Sequence, residues 1–302
     1  MYIRSLFLMA ALMSAACANS RADAPRCDAP AGVEALWTDA RIQYLVLGEY
    51  HGTAEMPAVT AELVCAAASG GERVLLALEL PQAEESELQA FVSGAATTLH
   101  EHGFWQRARD GRSSAAMFAL LERIRDLREA GLDIAVIAVA PSGRLSEDEE
   151  LLLWQRFSPP SGVDRQGSIT DLRMAAALID GARRMQARRV IFLVGNAHAV
   201  TAPSPSSSWN PVTGDIRRFT RMHTAAALPR ENTLSLVFTH AGGAGFAQTQ
   251  SGTGVNSLAP SEFELTSPAV LIAPHPSAEP RYDGRIFIGT VSASPPLQAA
   301  EQ

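Results

Sequence analysis

The chain is short of three things: it has three cysteines in 302 residues, only 19% charged residues, and no cluster of basic side chains. A net charge of −7 with no polybasic segment excludes a nucleic-acid surface. The densest basic spots, Arg183-Arg184 and Arg188-Arg189, fall at the C-terminal end of a predicted helix, where they match its dipole. No apolar run is long enough to span a bilayer, and no repeat appears at a period that marks a solenoid or propeller. What is present is 47% hydrophobic content, enough for a sizeable core in one large domain.

The first residues have the layout of an export signal. Arg4 forms a small positive region, Leu6 to Leu12 an apolar one, and Ala16-Cys17-Ala18 a small-x-small cleavage site. A lipidation box at Ser14-Ala15-Ala16-Cys17 is the weaker alternative, because such boxes usually carry Leu where Ser14 stands. Cleavage after Ala18 removes Cys17 and leaves the pair Cys27 and Cys65. In an oxidising compartment that pair predicts a disulfide holding the mature N-terminus to the first helix. The expected location is periplasmic or secreted, with no transmembrane segment in the mature chain.

After the leader the chain alternates strand and helix. Apolar strands are predicted at Tyr44 to Leu47, Val74 to Leu78, Ile134 to Val139 and Val190 to Val194. Such continuous short runs read as strands buried on both faces. Helices are predicted over Pro57 to Ala68, Ala83 to Val92, Ser113 to Ala130, Glu147 to Arg156 and Ile169 to Gln186. The Ser113 helix is the clearest, with a serine cap and a stripe of Met117, Leu120, Leu121, Ile124 and Leu127. Beyond it, Thr201 to Gly214 is rich in Ser and Pro and reads as a loop able to act as a lid. A helix is expected from Ile216 to Ala227, a strand at Leu234 to Phe238 and a polar stretch from Gly242 to Ser261. Short strands at Val270 to Ile272 and Arg285 to Ile288 close the fold, and the tail from Ser292 is expected to be disordered. The order predicts an α/β fold with a largely parallel central sheet flanked by helices, as one domain over residues 19–291.

Three polar motifs follow three of the strands: Gly48-Glu49-Tyr50-His51-Gly52-Thr53-Ala54-Glu55, then Glu79-Leu80-Pro81, then Gly195-Asn196-Ala197-His198-Ala199. Ligands of open α/β sheets bind beyond the carboxyl ends of the strands, so Glu49, His51, Glu79 and His198 are predicted to converge there. A carboxylate at the end of an apolar strand is costly to bury unless it is paired, which argues for a partner at Glu49 and at Glu79. Two chemistries suit the set. Carboxylates and imidazoles together hold a divalent ion such as Zn, Mn or Fe, which makes a nucleophile of bound water. Without a metal, a His paired with a Glu acts as general base on water. The sequence leaves both open.

Three further residues are candidates for substrate binding. Arg112 precedes a helix N-terminus, so it suits an anionic group or a pairing with Glu79. Glu55 begins a helix, where the macrodipole alone accounts for it equally well. Arg173, on the helix before the fourth apolar strand, is the weakest of the three. Phe104 and Trp105 suit either a pocket wall or the core. The expected partner is a small-molecule or peptide substrate.

The spacing Gly48-Glu49-x-His51-Gly52-x-x-Glu55, the buried Glu79 and Gly195-x-x-His198-Ala199 resemble the erythromycin-esterase-like, ChaN-like and Tiki/TraB group over roughly Tyr44 to Ala199. The first motif looks most like the esterase branch, the last more like the ChaN and Tiki branches. The resemblance implies an α/β fold with Glu49, His51, Glu79 and His198 in one pocket. It also implies either hydrolysis of an ester, lactone or amide bond, with or without metal, or haem binding, in which Tyr50 would ligate the iron. Gly52 and Glu55 stand where ChaN-like patterns carry a second His.

Overall fold

The computed structural model describes residues 25–99, 103–107, 110–209, 215–249, 252–261, 265–273 and 281–297. The expected leader, with Cys17, lies outside the described residues, as do His100 and His102.

The first apolar runs form strands with the expected helices between them. They are β1 (Tyr44–Glu49), α1 (Glu55–Ser69), β2 (Val74–Pro81), α2 (Glu85–Val92), the short α3 (Gly103–Arg107), α4 (Ala115–Glu129) and β3 (Ile134–Ala140). Next come α5 (Glu147–Phe157), α6 (Arg165–Met185) and β4 (Arg189–Gly195). The second half contains β5 (Ser204–Trp209), β6 (Ile216–Arg221), α7 (Thr224–Ala227), β7 (Thr233–Thr239), β8 (Gly243–Thr249), β9 (Gly252–Leu258), β10 (Ala269–Leu271) and β11 (Gly284–Phe287).

Seven strands make one sheet in the order β10-β11-β7-β1-β4-β2-β3. Every neighbouring pair is parallel except β10 and β11. Successive side chains point to opposite faces of a strand, and both faces are covered here. Leu45, Leu47, Leu76, Leu78 and Leu193 pack with α1, α2 and α4. Tyr44, Val46, Leu75, Ala77 and Phe192 pack with α6 and α7. Two-sided burial is why the runs are apolar without alternation. On α4, Ser114 Oγ accepts from the Met117 N–H at 3.3 Å, and the predicted stripe is buried.

The strand order makes the site. β4 lies between β1 and β2, so the chain ends of all three face the same crevice. Glu49 is directly opposite Gly195, and Leu78 opposite Leu193. β2 then shifts register between Leu78 and Pro81, around Glu79.

Three parts of the second half differ from expectation. Thr201 to Gly214 is not all loop, and the helix over Ile216 to Ala227 is mostly absent. Instead β5 and β6 pair as an antiparallel ribbon from Ser204 opposite Arg221 to Trp209 opposite Ile216, and only Thr224–Ala227 is helical. Cross-strand bonding outweighs local preference here, helped by Arg217, which reaches the α6 cap Asp164, and Arg221, which reaches Asp171 within α6. The stretch after Gly242 is a second ribbon, β8 with β9. Residues 292–297, expected to be disordered, are fixed to the body of the fold: Ala293 bridges to Thr53 and Pro296 to Ser114. α6 also starts earlier than Ile169, at Arg165, since Asp164 caps it by accepting from the Gly167 N–H at 2.6 Å.

Cys27 and Cys65 form the expected disulfide, with Cα atoms 5.6 Å apart, tying the N-terminal segment to α1. Among the described residues, no helix is long and apolar enough to cross a membrane.

Candidate active site

Glu49 is the last residue of β1 and is 3% exposed. His51 turns back two residues later, and its Nδ1 lies 2.9 Å from Glu49 Oε1. The other ring nitrogen, Nε2, lies 3.3 Å from Glu79 Oε2. An imidazole with a carboxylate at each nitrogen uses both as N–H donors and is therefore a cation. Burial opposes that charge, but the bonds to Glu49 and Glu79 outweigh it and push the His51 pKa up to about 10. Burial likewise opposes the charge of Glu79, but its bond to His51, with the Arg112 guanidinium nearby, holds its carboxyl well below the usual range.

Glu79 is the hub of the site. Its Oε2 also accepts the Gly195 N–H at 2.8 Å. A side chain at residue 195 would put a Cβ 2.9 Å from His51 Nε2, so this approach requires glycine. On the other side, Arg112 Nη1 donates to the Glu79 carbonyl at 3.2 Å and approaches Oε1 at 3.5 Å. Arg112 Nε donates to Asp110 Oδ2 at 2.9 Å. The guanidinium expected to hold a substrate anion is thus engaged by Glu79 and Asp110, the pairing that the sequence offered as its other role. Phe104 lies under it at 6.0 Å, while Trp105 is 1% exposed and belongs to the aromatic core with Phe118.

His198 sits on the 3-10 turn Asn196–Ala199 after β4. Its Nδ1 is 2.7 Å from Asp171 Oδ1, and its Nε2 is 3.7 Å from Glu79 Oε1. Asp171 is fully buried on α6. Its carboxylate also accepts the Thr224 N–H at 2.9 Å, the Thr224 hydroxyl at 2.8 Å and Arg221 Nε at 2.6 Å. Burial works against its charge, yet His198 and Arg221 keep its carboxyl below the ordinary value. Arg221 Nη2 also lies 3.0 Å from His198 Nδ1. A guanidinium only donates, so the two contacts at Nδ1 demand opposite tautomers. The shorter, charge-assisted bond to Asp171 assigns the proton to Nδ1 and leaves a lone pair on Nε2.

A cavity of about 320 Å³ opens on this cluster, lined by Glu49, Tyr50, His51, Asp110, Asn196, His198 and, from β8, Ala247 and Gln248. Glu49, His51, Glu79 and His198 are therefore brought together. Glu55 and Arg173 are not part of the cluster. Glu55 accepts from the Ser292 N–H at 2.9 Å and from the Ser292 hydroxyl. Arg173 donates to the carbonyls of Ser142 and Gly143 at 2.9 and 2.8 Å, beside a different cleft between α5 and α6.

The donor set does not fit a metal. Both nitrogens of His51 are taken by carboxylates, and Nδ1 of His198 is taken by Asp171. Among the described residues, no group of three or more His, Cys, Asp or Glu is arranged around one ion. Tyr50, the residue expected to ligate haem iron, is 49% exposed and lines the same cavity.

Asp171 and Arg221 were missed from the sequence. Asp171 had a signal: it lies three residues before Met174 and seven before Leu178, a carboxylate on the buried stripe of α6. His223 is buried and bonds Ser204 Oγ at 2.8 Å. Its burial lowers its pKa to about 4.

No protein-family profile and no curated protein matches the chain. Solved structures do. A Bacillus cereus structural-genomics protein aligns over 90% of this chain and 95% of its own, with a TM-score of 0.58 and 12% identity. An erythromycin esterase, EreC, solved as a mutant in its open conformation, aligns over 84% and 92%, again at 0.58 and 12%. A succinoglycan biosynthesis protein aligns over 84% and 89%, at 0.56 and 9%. Identities this low speak to fold. The chain shares the α/β fold of these structures, an erythromycin esterase among them.

Proposed function

We propose that the protein is an exported hydrolase that adds water to an ester, lactone or amide carbonyl, with His198 as general base. The observation that carries this reading is the Asp171–His198 pair: Nδ1–H is held at 2.7 Å by a buried carboxylate, and Nε2, 3.7 Å from Glu79 Oε1 and so beyond hydrogen-bond distance of it, lies beside the cavity. A base needs an available lone pair and a fixed orientation, and His198 has both. His51 has neither lone pair free, so its part is electrostatic.

The steps follow from this placement. Nε2 takes a proton from water as its oxygen attacks the carbonyl carbon, and the C=O electron pair moves onto oxygen. Glu79 Oε1, 3.7 Å from Nε2, and Asp171 stabilise the imidazolium so formed. As the intermediate collapses, the C–O or C–N bond breaks and Nε2–H returns its proton to the leaving atom. His51 and Arg112 keep Glu79 ionised throughout. The substrate is a small molecule or peptide that places its carbonyl among Asn196, His198 and Gln248.

The test is a panel of esters, lactones and amides against wild type and His198→Ala. Turnover by wild type and its loss in a variant of unchanged circular dichroism support the reading. Equal rates in both overturn it. The leader and the disulfide support export, which N-terminal sequencing of exported protein tests: the chain is expected to start at Asn19.

A further inference from the structure

The segment after β11 ties three parts of the cavity together. Val291 N–H donates to the Gly242 carbonyl at 3.0 Å, and its own carbonyl accepts from Ala244 at 2.9 Å, fastening it to β8. The Ser292 carbonyl accepts the Ala54 N–H at 2.9 Å, and Ser294 N–H donates to the Gly52 carbonyl at 2.8 Å. The Pro295 carbonyl accepts the Ala115 N–H at 2.9 Å, and Leu297 N–H donates to Ser113 at 3.1 Å. Ser294 Oγ also accepts the Ala116 N–H at 2.9 Å.

These bonds bridge the loop that carries His51 and the loop that carries Arg112. The two loops meet backbone to backbone: at Gly111, with φ +90°, a Cβ would lie 2.5 Å from Gly52 N and 2.6 Å from the His51 carbonyl carbon. No side chain fits between them, so their spacing has to be held from outside. Glu55 fastens the bridging segment, because its two carboxylate oxygens accept from the two donors of Ser292. Position at a helix N-terminus accounts for the charge of Glu55 but not for this matched pair of bonds.

We propose that Glu55 is a positioning residue, which acts through residues 291–297 to hold the loops of His51 and Arg112 at the spacing where both reach Glu79. The proposal rests on the reading of that cluster as the active site. Glu55 does not line the cavity, so it acts through the strap.

The experiment is NMR of the full-length protein with ¹⁵N-labelled histidine, following the ring N–H protons of His51, assigned with His51→Gln. In wild type, protons held by Glu49 and Glu79 give resolved signals protected from exchange. Glu55→Ala is expected to lose that protection at temperatures far below its melting point, and Ser292→Ala, which removes only the hydroxyl, to weaken it. Arg156→Ala, which breaks an equally exposed pair with Asp180, serves as control and leaves the signals in place. Unchanged His51 signals in a folded Glu55→Ala overturn the proposal, and if that variant does not fold, unchanged signals in Ser292→Ala do so. Turnover is not part of the readout, so failure of the hydrolase reading is scored separately.

Discussion

Asp171 Oδ1 stands 2.7 Å from His198 Nδ1, across 27 residues of sequence, and the carboxylate is wholly buried beneath the imidazole. α6 supplies the acid and the turn after β4 supplies the ring. Arg221, brought in by the β5–β6 ribbon, balances the buried charge. The pair fixes tautomer and direction together, and the predictions begin from it.

Replacing Asp171 with Asn keeps the shape but removes the charge that holds Nδ1–H. On any substrate that wild type turns over, kcat is expected to fall by about 10²- to 10⁴-fold with KM nearly unchanged. Steady-state kinetics check this, and a rise in KM alone would assign Asp171 to binding instead.

Stability is expected to peak near pH 6.5. The folded His51 pKa is raised to about 10 from 6.5, so its contribution is full below pH 6.5 and is lost as pH climbs through 10. For His223 the folded value is lowered to about 4, so the unfolded chain binds the extra proton and stability falls between pH 6.5 and 4. Glu79 and Asp171, both lowered, add acid loss below the ordinary carboxylate range. Melting temperatures from pH 4 to 10 test this. His51→Gln is expected to flatten the alkaline limb, and an unchanged limb would show that His51 is not held as a cation.

Gly195→Ala sets a methyl 2.9 Å from His51 Nε2 and 3.4 Å from Glu79 Oε2. Overpacking of this kind costs about 1–3 kcal/mol. Chemical denaturation is expected to show that loss together with reduced turnover. A neutral result would mean that the His51–Glu79 contact is loose.

Removing the Cys27–Cys65 bond, which closes a 38-residue separation, frees the unfolded chain. The expected cost is about 3–4 kcal/mol in the chain-entropy model, read by denaturation of Cys27→Ser/Cys65→Ser. Two free thiols in exported protein would contradict the bond.

Dialysis against a chelator is expected to leave turnover unchanged, since the ring nitrogens of His51 and Nδ1 of His198 already have partners. Elemental analysis of protein purified without a metal-binding tag provides the companion measurement. Activity lost on dialysis and restored by Zn, Mn or Fe would refute the metal-free mechanism.

Much of the first half was legible before folding. The four apolar runs announce strands buried on both faces, because burial of that kind leaves a continuous apolar composition. Glu79 stood out for the same reason, as a charge between two leucines. The ribbons β5–β6 and β8–β9 left no such mark, since a two-stranded ribbon is held by its cross-strand partner more than by its own residues. Glu55 fitted a helix start so well that its bond to Ser292, 237 residues away, had no local sign.

The division follows a physical line. Hydrophobic burial is roughly additive over neighbouring residues, so strands, helices and the edge where polar motifs cluster can be read along the chain. The charge state of a histidine is not additive in that sense: it depends on which carboxylates lie within about 3–4 Å. Those distances exist only once β4 has inserted between β1 and β2 and α6 has docked beneath it. Tertiary structure therefore decided that His51 sits between Glu49 and Glu79 while His198 leans on the buried Asp171, two histidines that look alike on paper.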